Sequence, residues 1–181
     1  MEDSKPVCTL MVTGCSLSSN DESTAVHQLS FRTMIDSLLY LTGTWPDITH
    51  AVGIVGRFQA NPKESHPQVV KRIFKYLQGT QDFGLWYHRD ADLTLYAYTD
   101  VDWAWSVDDR KSTSGGAFYM GSRLVSWFSK KQSSIALSTA EVEYATAASC
   151  RTTTLNDTNF ARHSNHMYST YLHSMWSYKC H

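Results

Sequence analysis

Four carboxylates in the second half of the chain have the residue type and the spacing that metal-assisted hydrolysis uses. Asp100 and Asp102 stand at the end of an apolar stretch that predicts a β-strand, so they project to the same side. Glu141 and Glu143 fall in the first turns of a later predicted helix, where negative charge also suits the helix dipole. Converging carboxylates are what Mg²⁺ requires, and two such ions stabilise the attacking and leaving oxygens in phosphodiester hydrolysis.

The same carboxylates also have a purely structural interpretation. Asp100 and Asp102 can be turn residues, and Glu141 can be half of a capping box whose N-cap is Ser138 or Thr139. Because the Asp-x-Asp pattern is common, spacing alone favours this structural interpretation over a metal site.

The hydrophobic pattern predicts the elements that position these residues. Apolar residues recur at helical spacing over 30–41, from about 46 to 60 and from about 67 to 78. The pattern then changes to β-forming stretches, with strands predicted at 83–88, 93–99, 115–120 and 123–129. A last helix is predicted at 137–148.

Composition indicates a folded protein and gives no global sign of a nucleic-acid partner. Of 181 residues, 42% are apolar and 13% aromatic, which is enough for a core. Lys and Arg number 16 against 17 Asp and Glu, so a nucleic-acid surface would have to be local. The four cysteines lack metal-ligand spacing, and no secretory signal or membrane span is visible. We therefore expect an intracellular protein, cytoplasmic or nuclear, with no membrane partner.

Several motifs in a fixed order resemble the C-terminal region of the Pol polyprotein of Ty1/copia-type retrotransposons. SLLYLTGT at 37–44 and VKRIFKYLQGT at 70–80 resemble the segment that connects reverse transcriptase to ribonuclease H. The motifs that resemble the strands, loop and first helix of the family's ribonuclease H are YTDVDWA at 98–104, RKSTSG at 110–115, VSWFSKKQ at 125–132 and LSTAEVEY at 137–144.

The resemblance implies an α/β fold of the ribonuclease H type, truncated to a three-stranded antiparallel meander and its first helix, after a helical connection segment. It divides the chain into a polar leader (1–25), the connection segment of reverse transcriptase type (26–90), the N-terminal half of a ribonuclease H-like domain (91–150) and an aberrant, disordered tail (151–181). We expect the leader to be loose, because it is polar and rich in Ser and Thr.

The resemblance also implies roles for individual residues. Asp100 would be the first metal ligand and Glu143 the ligand on the helix, both catalytic, while Asp102 would help through a water. The implied cofactor is Mg²⁺, with Mn²⁺ as a substitute, and the implied partner is an RNA–DNA hybrid. The residues implied to contact its phosphate backbone are Arg110, Lys111, Ser112, Lys130 and Lys131, for which a solvated basic loop is the alternative.

The chain departs from the family pattern where further ligands are expected. Nothing in 151–181 matches the later strand and helix that carry two more acidic ligands, and Asp157 has no strand pattern around it. Trp105 stands where the family usually has Gly. If the reading frame over residues 156–163 is shifted by one nucleotide, suitable codon choices encode an amphipathic helix. This predicts a frameshift near codon 151. We therefore expect a catalytic remnant without activity.

Two other functions stay open at this point. The product of a truncated element can serve as a non-catalytic binding protein, whose exposed strand edges and aromatic surface contact nucleic acid, a protein partner or a second copy of the chain. Alternatively, the chain is the product of a pseudogene and has no selected function. Salt-dependent binding to hybrid duplexes without cleavage would favour the binding protein over the enzyme.

Overall fold

Four helices and one three-stranded sheet make up the described part of the chain. The computed structural model describes residues 4–12, 14–15, 17–89 and 92–156, with the backbone alone for 151–156. The helices are α1 (Gln28–Leu41), α2 (Thr49–Val55), α3 (Ser65–Gly79) and α4 (Thr139–Asn156), and 3₁₀ turns at Pro46–Ile48 and Gly56–Phe58 flank α2. The strands are β1 (Leu95–Asp102), β2 (Thr113–Met120) and β3 (Arg123–Lys131). No helix within these ranges is long and apolar enough to cross a membrane.

Helices α1, α2 and α3 pack around one apolar core and are called the helical unit below. Their inward residues recur at helical spacing, as the sequence pattern predicts. Phe31, Ile35 and Leu38 of α1, Val52 and Val55 of α2, and Val70 and Ile73 of α3 are all 0% exposed. Taking each such side chain out of water contributes about 1.5–3 kcal/mol, so this core is the main source of the unit's stability.

A buried histidine joins the helical unit to the N-terminal segment. His66 is 0% exposed and stacks on Phe58, with the ring centroids 4.1 Å apart. Its Nδ1 accepts a hydrogen bond from the Lys63 N–H at 3.0 Å, and its Nε2 lies 3.2 Å from the Ser18 carbonyl, to which it donates. Both bonds together require the neutral imidazole, and burial lowers the pKa of His66.

The described residues of the N-terminal segment are packed against the helical unit, so the expectation of a loose leader is wrong for them. Leu17 is only 5% exposed within the helical core. Arg72 of α3 donates through Nε to the Thr9 carbonyl at 3.0 Å, and the Ser4 hydroxyl donates to Gln78 at 3.0 Å. Polar composition misled the sequence interpretation, because these polar groups are satisfied by partners on α3 rather than by water.

The three strands form an antiparallel sheet in the order β1-β2-β3, which confirms the predicted meander. Asp100, Gly115 and Ser129 lie opposite one another in a cross-strand row, and Val101, Ser114 and Lys130 form the next row. Because side chains alternate along a strand, these two rows point to opposite faces of the sheet. The helical unit packs on the face of the first row, and α4 packs on the face of the second.

Three element boundaries differ from the predictions. Residues 83–88 are not a strand; Arg123 of β3 holds this stretch by donating to the His88 carbonyl at 2.8 Å. β1 runs to Asp102, so Asp100 and Asp102 lie within the strand instead of following it. α4 continues to Asn156, past the predicted end at 148 and into the predicted tail. The rest of that tail, 157–181, lies outside the described residues, as does the frameshift prediction made on it.

Candidate functional site

Asp100 and Asp102 point to the face of the sheet that meets the helical unit. Both are exposed, and they lie two residues apart on β1, as the sequence predicts. The Asp102 carboxylate lies 3.7 Å from Nε2 of His50 on α2. Asp100 accepts a hydrogen bond from the N–H of Val101 at 2.8 Å. The two carboxylates therefore lie beside α2, a helix that the sequence interpretation did not connect with them.

A cleft of about 430 Å³ separates α2 from the sheet beside these carboxylates. Its polar lining includes Asp47, His50, Asp100 and Ser129, and Tyr98 and Trp127 are among its aromatic residues. The Asp47 carboxylate accepts a hydrogen bond from the hydroxyl of Tyr76 at 2.6 Å, which raises the pKa of Tyr76 to about 12. The cleft thus combines carboxylates, an imidazole and aromatic rings, with no Lys or Arg among the described residues that line it.

His50 lies at the centre of the contacts across this cleft. Its Nδ1 is 3.1 Å from the hydroxyl of Ser129 on β3, and its Nε2 faces Asp102. Burial lowers the pKa of His50, and the positive charge of Arg57 lowers it further. The negative charges of Asp102 and Asp100 oppose this shift but do not cancel it. Neutral His50 therefore shares one hydrogen bond with Ser129, as the acceptor or the donor according to its tautomer, and does not bring a fixed positive charge to the cleft.

Glu143 lies on the helix that packs against the opposite face of the sheet. α4 contacts the sheet through Val142, which is 0% exposed, and through Thr146, whose hydroxyl is 2.8 Å from that of Ser114. Ser114 is directly across from Val101, so this contact lies on the face away from Asp100. Glu143 itself is exposed. The structure thus does not bring Asp100 and Glu143 together on one face.

Glu141 takes part in the cap of α4, as the structural interpretation predicts. Its N–H donates to the hydroxyl of Ser138 at 3.2 Å, and its carboxylate accepts from the N–H of Leu137 at 2.7 Å. Ser138, rather than Thr139, is therefore the N-cap residue, and the pair satisfies backbone donors at the helix start.

The donor set does not fit a two-ion Mg²⁺ site in this arrangement. Mg²⁺ requires near-octahedral oxygen ligands, which Asp100 and Asp102 supply from one face while Glu143 lies on the helix across the sheet. Within the described ranges, no three or more His, Cys, Asp or Glu side chains come close enough to hold a metal ion. No catalytic step through a metal follows from this geometry.

Only some of the predicted phosphate-contacting residues are free to reach a phosphate. Lys131 forms an ion pair with Asp109 at 2.8 Å, and Lys111 lies 4.0 Å from the same carboxylate. Lys131 is among the groups that lower the pKa of Asp109 to about 2, against the effect of burial. Arg110 and Lys130 are exposed. These four cations lie where β1 ends, β2 begins and β3 ends, close in the fold to the carboxylates.

Ser112 has a structural position. It is 1% exposed, its hydroxyl accepts from the N–H of Ala104 at 3.0 Å, and its carbonyl accepts from the N–H of Gln132 at 2.8 Å. Contact with a phosphate would require this loop to rearrange.

The tryptophans divide between packing and exposure. Trp105 packs against the core of the helical unit, with the Arg57 guanidinium 6.0 Å from its ring centroid. Trp105 stands where the family usually has Gly, but the left-handed backbone beside the strand falls on Ala104, with φ 49°, and not on Trp105. The indole N–H of Trp127 donates to the Thr42 carbonyl at 2.8 Å, whereas Trp103 is 49% exposed. Trp103 is thus the one of these three that remains available for stacking on a base.

Sequence reasoning missed His50, Asp47 and Ser129. Asp47 and His50 lie fifty or more positions before the carboxylates, and Ser129 is an ordinary polar position on β3. No local pattern distinguishes them. The one available signal was that polar residues occur at 47, 49 and 50, at the start of a predicted helix whose next residues are apolar.

Comparison with known proteins gives relatives over most of the chain. No family model matches. The chain is 39% identical over 148 residues, 82% of its length, to the retrovirus-related Pol polyprotein from transposon RE1 of Arabidopsis thaliana. It is also 39% identical over 154 residues to that from transposon TNT 1-94 of Nicotiana tabacum. It spans 10% and 12% of these two proteins. It is 43% identical over 111 residues to the secreted RxLR effector protein 161 of Plasmopara viticola, covering 78% of it. No solved structure matches.

Proposed function

We propose that the chain is a fragment of a retrovirus-related Pol polyprotein and that it binds RNA–DNA hybrids without cleaving them. It spans 10% and 12% of the polyproteins from transposons RE1 and TNT 1-94, to which it is similar. It would correspond to the segment that connects reverse transcriptase to ribonuclease H, followed by the first part of a ribonuclease H-like domain. The reaction of the intact polyprotein would be metal-dependent hydrolysis of the RNA strand of the hybrid.

The order of the elements supports this correspondence. A helical unit precedes three antiparallel strands in the order β1-β2-β3, and a helix that packs on the sheet follows. The motifs that resemble the family lie on these elements in the same order. YTDVDWA spans the end of β1, and LSTAEVEY spans the capped start of α4.

The separation of Asp100 from Glu143 is the observation on which the absence of cleavage rests. Two-ion hydrolysis needs carboxylates that converge on the same ions, and here the sheet lies between the two principal candidates. Asp102 shares the face of Asp100 but is already beside His50. We therefore expect the chain to lack the ligand set for hydrolysis while keeping the surface that meets the substrate.

The cations at the end of the sheet supply the attraction for a hybrid. Arg110 and Lys130 are exposed, and among the described residues neither has an ion-pair partner of the kind that holds Lys131. A duplex of A-form shape is recognised mainly through phosphates, 2′-hydroxyls and groove shape, so binding of this kind needs no base-specific contacts.

A cleavage assay tests the catalytic half of the proposal. The protein is incubated with a labelled RNA–DNA hybrid in Mg²⁺ and, separately, in Mn²⁺, beside the variant Asp100→Asn. We expect no product above the background of that variant. Cleavage by the unaltered chain that disappears in Asp100→Asn would show that Asp100 does find further ligands, and the proposal of binding without hydrolysis would then be wrong.

The salt dependence of binding tests the other half. The logarithm of the binding constant should fall with the logarithm of salt concentration by about 0.7–0.9 for each phosphate contact. The double variant Arg110→Gln/Lys130→Gln should therefore reduce the slope by about 1.5 and weaken binding. The matched control is Lys71→Gln/Lys75→Gln, which removes two charges from α3, away from the sheet. Equal slopes for both double variants would mean that the sheet end is not the binding surface.

A second candidate is a non-catalytic interaction protein that binds another protein. The observation in its favour is that a relative covered over 78% of its length is named a secreted effector rather than a polyprotein. Tyr98 and Trp103, which are 62% and 49% exposed, offer an aromatic surface near the edge of β1 that has no strand partner among the described residues. A folded protein that shows no salt-dependent affinity for hybrids would favour this candidate.

A further inference from the structure

The N-terminal segment runs along α3 in the opposite direction and is bonded to it at three levels. Its first described residue donates through its hydroxyl to Gln78, near the end of the helix, at 3.0 Å. In the middle, Arg72 donates to the carbonyl and the hydroxyl of Thr9 at 3.0 and 2.6 Å. Near the start of the helix, His66 donates to the Ser18 carbonyl at 3.2 Å. The segment is therefore held beside α3 over most of the length of this helix.

A cavity of about 670 Å³ lies between the N-terminal segment and α3. The aliphatic residues that line it are Val7, Val12, Leu17 and Val69. Its polar side chains come from α3 and are Ser65, Gln68, Lys71, Arg72 and Lys75. No Asp or Glu occurs among the described residues of the lining. Small-molecule pockets have volumes of about 300–1,000 Å³ and combine apolar walls with a few polar groups, so this cavity has the size and the lining of such a pocket.

The positive charge of the cavity is not balanced by a carboxylate in the described part of the chain. Lys71 and Lys75 lie one turn apart on α3, where like charges repel each other. None of the described ion pairs involves them or Arg72. A guanidinium has five N–H donors, and the two bonds to Thr9 fix the position of Arg72 while leaving it further donors. An anion in the cavity would therefore meet three cations, one of them already held in place.

We infer that this cavity binds a small phosphate ester with an apolar body. A phosphate monoester carries about −1.5 to −2 charges at pH 7 and three acceptor oxygens, which suits several cations on one turn of a helix. A carboxylate, with a single charge and two oxygens, would leave most of the positive charge unbalanced. The aliphatic wall accounts for the apolar body. A cavity of this volume admits a small molecule and not a duplex, so the site is separate from the proposed hybrid surface at the end of the sheet.

Cys15 provides a readout inside the cavity. It lines the cavity and is partly exposed, whereas Cys8 is exposed and is not among the lining residues. The probe is 1-naphthyl phosphate, whose Kd is measured through its fluorescence; inorganic phosphate supplies the anion alone and 1-naphthol the body alone. The bound ester should slow the alkylation of Cys15 by iodoacetamide and leave that of Cys8 unchanged, as followed by peptide mass spectrometry. We expect the ester to bind at least about tenfold more tightly than either of its parts.

Three variants separate the contribution of the charges from that of the apolar wall. Lys71→Gln/Lys75→Gln should weaken binding of the ester at least about tenfold, because it removes two charge-assisted contacts. The matched control Arg32→Gln/Arg89→Gln removes two exposed cations outside the lining and should leave the Kd unchanged. Val12→Ser alters a side chain that is 58% exposed, so the fold should tolerate it. This variant should weaken binding of the ester but not of inorganic phosphate.

Equal affinity for the ester and for inorganic phosphate would overturn the inference, because the cavity would then be a site for a free anion only. Equal affinity for the ester and for 1-naphthol would overturn it as well, since the cations would contribute nothing. An unchanged Kd in Lys71→Gln/Lys75→Gln, or alkylation of Cys15 that the ester does not slow, would mean that the ester binds elsewhere. A folded protein that does not bind the ester would refute the site outright. None of these results bears on hybrid binding, for which Lys71→Gln/Lys75→Gln is the control.

Discussion

Replacement of Gly116 by Ala should destabilise the protein because the added methyl group has no room. Gly116 lies in β2, opposite Phe128 of β3, on the face that packs against α4. A Cβ at this position would lie 2.3 Å from Cε1, 2.8 Å from Cζ and 3.0 Å from Cδ1 of the Phe128 ring. Non-bonded carbon atoms prefer about 3.5–4.0 Å, so the ring has to turn away.

The cost of that movement can be estimated from the surroundings of Phe128. Its ring centroid is 6.2 Å from that of Phe118, which is 1% exposed at the centre of the small core. Overpacking a core of this kind costs about 1–3 kcal/mol. Replacing Gly by Ala also restricts the unfolded chain, which returns about 0.4–1 kcal/mol. We therefore expect Gly116→Ala to lower the free energy of unfolding by about 1–2 kcal/mol.

The neighbouring glycine provides the control. A Cβ on Gly115 would have its nearest contacts at 3.8 Å and 3.9 Å, both ordinary, so Gly115→Ala keeps the entropic gain without the clash. Urea denaturation followed by circular dichroism should therefore give a midpoint for Gly116→Ala about 0.5–1.5 M below that of Gly115→Ala. In the double variant Gly116→Ala/Phe128→Leu the loss should be partly recovered, because a smaller side chain vacates the space.

Equal midpoints for the two alanine variants would refute the reasoning. If both midpoints match that of the unaltered protein, the contact between Gly116 and the Phe128 ring does not limit the packing. If both midpoints are lowered, a general intolerance of side chains in β2 explains the two losses.

Two further predictions concern His66 and the cap of α4. Burial lowers the pKa of His66 in the folded protein below its ordinary value of 6.5, so the unfolded chain takes up the proton more readily. The free energy of unfolding is therefore highest above about pH 6.5 and falls as the pH drops below it, by up to about 1.4 kcal/mol per pH unit. Urea denaturation at pH 7.5 and 5.5 should show this loss, and His66→Gln, which cannot be protonated, should show less of it; the same loss in both proteins would contradict the assignment to His66. Ser138→Ala removes the acceptor of the Glu141 N–H and should lower the free energy of unfolding by about 1 kcal/mol, measured as a lower thermal midpoint. Ser138→Asp retains an acceptor and should keep the thermal midpoint unchanged. Equal losses in both variants would exclude the cap as the cause.

The sequence by itself determined the local features of this protein. Helical periodicity identified the inward faces of α1 and α3, because residues three and four apart on a helix share a face whatever surrounds it. Strand alternation predicted that Asp100 and Asp102 point the same way, and the order Ser-x-x-Glu predicted the cap of α4. Each of these features depends on residues within four positions of one another.

Only the tertiary structure decided which face of the sheet meets which helix. The period of a strand separates two faces but does not say that Asp100 lies beside α2 and that Glu143 lies on the helix across the sheet. The contact of His50 with Asp102, the packing of the N-terminal segment and the absence of a strand at 83–88 have the same origin. They depend on the fit between surfaces far apart in the chain, where burial and hydrogen bonding to distant partners outweigh local preference.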